Sequence, residues 1–161
     1  MTTTTQKPLQ KELAKLCENN KHNFGRILSH LKRSFDEWAL AHLSKEGYPE
    51  VKMGYMPFLM NIDIEGTTNN ALAQKLRVSK QAMSKTLKEL ETLNLIAANP
   101  NPNDARSSII VLTNYGMQMV IHTRKQLDSL TKEYIKVIGK KKYNNMIESL
   151  ITIIDIHKEI E

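Results

Sequence analysis

The sequence predicts a mainly α-helical chain that carries one small β-hairpin. Apolar residues recur at helical spacing through the first and last thirds of the chain, as in helices with one buried face. Between them, residues 69–112 read as a short helix, a tight turn, a longer helix and two short strands around a polar, proline-bearing tip. The third observation is charge. From Gly66 to Lys88 stand five basic residues, Lys75, Arg77, Lys80, Lys85 and Lys88, and no acid. Such a stretch suits a surface that meets phosphates. On charge alone, a merely solvated basic helix is the plain alternative.

A chain of 161 residues suits one domain and is long enough to bury a core. With 40% hydrophobic and 25% charged residues, it has the composition of an ordinary soluble globular protein. No apolar run approaches a membrane span, and the opening MTTTTQKP lacks the apolar centre of a signal peptide. A cytoplasmic location is the expectation, with no membrane partner. The single cysteine, Cys17, forms no internal disulfide, in keeping with a reducing compartment. Of the net charge of +6, residues 66–88 carry +5, against +1 for residues 1–65, −2 for 89–112 and +2 for 113–161. That concentration favours a localised partner over general solubility.

In chain order, residues 1–8 are Thr-rich, end at Pro8 and are expected to form a disordered tail. Leu13, Leu16, Phe24, Ile27, Leu28, Leu31, Phe35, Trp38 and Ala39 then mark helix, either as two helices broken near residues 18–22 or as one long helix with a weak segment. Gly47-Tyr48-Pro49 ends it. In MGYMPFLMNIDI, Pro57 fits only near a helix start, so helix is expected from about Gly54. Thr113 is placed to cap a helix reaching Ile138, which Gly139 stops. Lys140, Lys141 and Lys142 read as a charged loop before a last helix, residues 143–160. That helix carries more isoleucines than one narrow stripe needs, so it packs on more than one surface. The choice is between its own chain's first helix and a second subunit; the second also suits paired DNA half-sites.

The centre of the chain is a helix-turn-helix pattern. Leu72, Ala73 and Leu76 give the first helix a buried face, Arg77-Val78 makes the turn, and Ser79 is an N-cap. In the second helix Met83, Leu87 and Leu90 face the core, with Ala82 and Thr86 beside them. At 100° per residue, Lys80, Gln81, Ser84, Lys85 and Lys88 fall on the opposite side. Three cations and two short hydrogen-bonding side chains are the types that reach phosphates and base edges in a major groove. Glu89 and Glu91 follow at once, so the cationic face belongs to the N-terminal half, the half such motifs insert.

LAQKLRVSKQAMSKTLKELETLNLIAANPNPNDARSSIIVLTNYG resembles the MarR family of bacterial winged helix-turn-helix transcription regulators. The resemblance covers residues 53–116 in order and spacing and the whole length more loosely. Its most specific part is Asp104-Ala105-Arg106 between the two strands, matching the Asp-x-Arg motif of the family's wing. It implies a DNA-binding lobe over 53–112, flanked by dimerisation helices over 9–45 and 113–161. It implies a dimeric repressor on a near-palindromic double-stranded operator, bacterial and nucleoid-associated, with no cofactor and no enzymatic role. Residues 79–92 become the recognition helix, with Ser79, Lys80, Gln81, Ser84, Lys85, Lys88 and Arg77 at the DNA. Arg106 would reach the minor groove, where narrow walls concentrate negative potential, and Asp104 would orient it through charge-assisted hydrogen bonds. On the residues alone, the same pair serves equally well to pin the hairpin turn. The chain departs from the family in three places: Arg77 and Asn94 stand where glycine is usual, and the first wing strand, Ile96-Ala97-Ala98-Asn99, is uncharged, leaving Arg106 as the wing's one cation.

The resemblance further implies a small, often aromatic, effector. Its candidate lining is Phe35, Trp38, Tyr55, Met56 and Phe58, with Met53, Met60 and His30 nearby, although such residues at helical spacing serve more often as core. Cys17 lies upstream of the position at which some relatives sense oxidants, and a lone helical cysteine is usually a small hydrophobe. No phosphate loop, nucleophile elbow or metal-ligand spacing among the five histidines supports an enzyme. The rival from another class is a winged helix that binds an acidic protein partner through its basic face.

Overall fold

The computed structural model describes residues 6–18, 23–102, 104 and 107–160, in two compact units, Met1–His42 and Leu43–Glu161. The first unit holds α1 (Gln6–Glu18) and all but the last residues of α2 (Phe24–Lys45). The described residues form two helices here; the break expected near residues 18–22 lies largely outside the described residues. Gln6, Lys7 and Pro8, expected in a disordered tail, form the first turn of α1, where a proline's missing N–H leaves no hydrogen bond unmade. Asn23 opens α2, its side-chain oxygen accepting from the Arg26 amide at 3.0 Å. Leu9, Leu13 and Leu16 on α1, and Phe24, Ile27, Leu28 and Leu31 on α2, remain exposed.

In the second unit α2 ends where Gly47 takes φ +91° and the Tyr48 amide returns to the Leu43 carbonyl at 2.9 Å. A 3-10 turn (Met53–Tyr55) leads into the short α3 (Met56–Met60), with Pro57 in its first turn as expected. Next come β1 (Thr67–Thr68), α4 (Asn69–Leu76), α5 (Lys80–Thr92), β2 (Ile96–Pro100), β3 (Ser108–Leu112), α6 (Asn114–Ile138) and α7 (Lys140–Ile160). The expected two-stranded hairpin is a three-stranded antiparallel sheet, in the order β1-β3-β2. Ile96 pairs with Leu112 and Pro100 with Ser108, while Thr67 joins from the far side opposite Ile110. A two-residue strand carries too little periodicity to be seen in sequence. The lysine triplet 140–142 is the first turn of α7 and not a loop, because Gly139 at φ +84° turns the chain in one residue.

Leu59, Leu72, Leu90, Leu95, Ile110 and Met119 are the fully buried centre of this unit. They come from α3, α4, α5, the α5–β2 turn, β3 and α6, so each element contributes one wall of the same core. α6 reaches it with Gly116, Met119 and Val120, while Met117 and Ile121 stay exposed.

Candidate nucleic-acid interface

Three N-caps set the geometry of the helix-turn-helix. Thr68 accepts from the Ala71 amide at 3.3 Å and Ser79 from the Ala82 amide at 3.2 Å, fixing the starts of α4 and α5. Thr113 accepts from the Gly116 amide at 2.9 Å, and its hydroxyl donates to the Asn94 carbonyl at 2.6 Å. Arg77 closes α4 in the left-handed region, at φ 50° and ψ 41°. The usual glycine position is therefore a left-handed one, and arginine accepts strain of about 1 kcal/mol there. Asn94 does the same at φ 54° after α5, with a side chain that tolerates the conformation better.

On α5, Met83, Leu87 and Leu90 are buried. Gln81, Ser84, Lys85 and Lys88 are exposed, as the helical phase requires. Ala82, expected beside the core, is exposed as well, widening the outward face. Ser79 and Arg77 are exposed at the mouth of the turn. The Lys80 side chain lies outside the described residues, although its backbone opens α5. This face shows no carboxylate between Ser79 and Lys88, and it starts at a helix N-terminus, which adds positive potential.

Two ion-pair groups sharpen the picture. Lys75, one of the five cations of the basic stretch, donates to both oxygens of Asp63 at 3.0 and 2.8 Å. That hydrogen bond, with a second from the Thr67 hydroxyl, holds the Asp63 carboxyl below the usual carboxylate range. Lys75 thus secures α4 to the loop before β1. Glu89 is the second case. The buried Tyr55 hydroxyl donates to its Oε2, and Lys52 approaches the same oxygen at 3.4 Å. The Tyr55 hydrogen bond is the main reason the Glu89 carboxyl sits below its ordinary range, with Lys52 adding to it. In the sequence Glu89 marks the end of the cationic face. It is the anchor of that helix to the 3-10 turn, and a partner 34 residues away leaves no periodic signal.

At the wing, Ala98, Asn99 and Pro100 are exposed and uncharged. At its tip the Ser107 amide donates to the Asp104 carbonyl at 3.0 Å. Asn101 Nδ2 donates to Ser107 Oγ at 2.8 Å across it. Asp104 is exposed there; Arg106 lies outside the described residues. Of the residues expected to line an effector site, Tyr55, Met56 and Phe58 belong to the core cluster of the second unit. Phe35 and Trp38 belong to α2 in the first, their ring centroids 6.1 Å apart. Cys17 is exposed. Among the described residues no group of His, Cys, Asp or Glu is placed to hold a metal ion, and no helix is long and apolar enough to cross a membrane.

Residues 52–107 match the family model described as "MarR family". Solved structures share the fold at low identity. A DNA complex of MepR from S. aureus superposes with a TM-score of 0.71 and 17% identity, covering 84% of this chain and 98% of that one. FabT from Streptococcus pneumoniae, also in complex with DNA, gives 0.69 and 15%, covering 86% and 100%. A mutant MarR from E. coli complexed with operator DNA gives 0.67 and 21%, covering 80% and 91%. No curated protein matches the chain in sequence.

Proposed function

We propose that the protein is a MarR-family, sequence-specific DNA-binding transcription regulator, a dimeric repressor relieved by a small-molecule effector; the match of residues 52–107 to that family's model supports the reading. The observation that carries this is the outward face of α5: Gln81, Ser84, Lys85 and Lys88 exposed, no carboxylate among them, on a helix whose opposite face is locked into the core. Inserted N-terminus first, that face puts Gln81 and Ser84 within reach of base edges. Lys85 and Lys88, with Lys80 and Arg77, neutralise phosphates on either side. Arg106 serves the minor groove from the wing, with Asp104 orienting it. Because β2 adds no cation, affinity rests on α5 and that one arginine. The protein acts in the cytoplasm, on the nucleoid.

Two lobes read a near-palindromic operator when the chain pairs with itself. The exposed apolar residues of α1, α2 and α7 supply the area for such pairing: Leu9, Leu13 and Leu16, Ile27 and Leu31, Ile151 and Ile154. Fluorescence anisotropy on duplexes selected from the source genome tests the reading. Affinity is expected to fall steeply as salt rises, since each neutralised phosphate releases counterions. Binding that stays flat between low and physiological salt overturns it.

A further inference from the structure

A half-open pocket of about 360 Å³ lies on the second unit, against the last turn of α5. Its walls come from the loop 47–51, from residues 92–95, and from Tyr115 in the first turn of α6. The Tyr48 and Tyr115 rings stand 5.0 Å apart at an angle of 42°. The Tyr115 hydroxyl donates to the Gly47 carbonyl at 3.2 Å, tying α6 to the loop. Glu50 is the one charged side chain of the lining, which holds no Lys, Arg or His.

The charged side chain lining the pocket is negative; His122, edge-on to the Tyr48 ring at 6.5 Å, stands 3.5 Å from Glu46. The C-terminal end of α5 presents the negative end of its dipole, and Glu50 adds a full negative charge. Burial first, then Tyr115 and Glu46, push the Tyr48 hydroxyl up from its ordinary range, as a site unfavourable to added negative charge does. Lys52, the cation next along the chain, is occupied with Glu89 at 3.4 Å. An anion is repelled here, and a neutral aromatic molecule gains only burial. A cation gains burial, the counter-charge and the ring quadrupoles.

We propose that this pocket is a binding site for an organic cation, an ammonium or amidinium group on a small apolar body, with Glu50 as counter-charge and the Tyr48–Tyr115 pair as its aromatic wall. The site is separate from the outward face of α5 and does not depend on the DNA reading, so its test uses the full chain without DNA. Amide chemical shifts are followed while benzyltrimethylammonium is added, with neutral N-benzylacetamide and anionic benzoate in parallel. Saturable shifts are expected at Gly47, Val51, Asn94 and Tyr115 for the cation, with the other two at least about tenfold weaker. Glu50→Gln, at an exposed position, should weaken the cation about tenfold at unchanged melting temperature, and Tyr115→Leu should weaken it further. Equal affinity for cation and N-benzylacetamide overturns the proposal. So do unaltered binding in Glu50→Gln, shifts confined to other residues, or no saturation at roughly 10 mM, beyond the weak end of specific binding.

Discussion

The side chains of α5 divide into those that touch the core and those left for a partner, and single substitutions separate the two roles. Lys85→Ala removes an exposed cation from the proposed groove face, so DNA affinity should fall and the salt slope should drop by about 1 with the melting temperature unchanged. Arg106→Ala should weaken binding with fold and dimer intact; unchanged affinity in anisotropy would remove the wing from the interface. Glu89 belongs to the other class. Its folded carboxyl is held below its ordinary range by the Tyr55 hydroxyl and then Lys52. Its stabilisation is therefore present above the ordinary glutamate range and is lost as pH falls through the depressed value. Asp63, held by Lys75 and Thr67, contributes with the same sign. Glu89→Gln should consequently lower the melting temperature at neutral pH and flatten its acid limb. An acid limb identical to that of the unaltered protein would show that the contact with Tyr55 contributes nothing.

At the scale of elements, α6 and the turn that ends α5 meet at one crowded point. A Cβ added at Gly116 would fall 1.9 Å from the Leu95 carbonyl oxygen, a backbone atom that cannot swing aside. The Thr113 amide donates to that same carbonyl at 3.1 Å, so α6 starts in backbone contact with the turn that ends α5. Gly116→Ala should force α6 away from this turn and lower the melting temperature by several degrees or more, as about 1 kcal/mol or above does in a chain this size. Leu90→Ala, at a fully buried position of α5, should cost roughly 2–5 kcal/mol in denaturant unfolding. If Gly116→Ala melts like the unaltered protein, the close approach of α6 to Leu95 is wrong.

On the scale of the whole molecule, α7 leaves Met146, Ile151, Ile154 and Ile156 exposed, and α1 leaves three leucines exposed. Light scattering should accordingly report a dimer; a stable monomer would sink the pairing proposed for these helices. The sequence by itself determined the helix-turn-helix and the caps at Ser79 and Thr113, because hydrophobic phase and capping chemistry are local. Ser79 and Thr113 were readable from neighbours within four residues, and Asn94 from the family's usual glycine position. It also marked the cationic face of α5, since charge and the Met83–Leu87–Leu90 stripe share one helical period. Only the tertiary structure decided which charges are spent inside the fold. Lys75 and Asp63 stand twelve residues apart and Tyr55 and Glu89 thirty-four, and no periodicity links residues that meet through a loop. It likewise turned Tyr55, Met56 and Phe58 into core, gave the hairpin its third strand, and placed Tyr48 and Glu50 with Tyr115 around a pocket. Those outcomes depend on where separate segments close on one another, which local pattern does not encode.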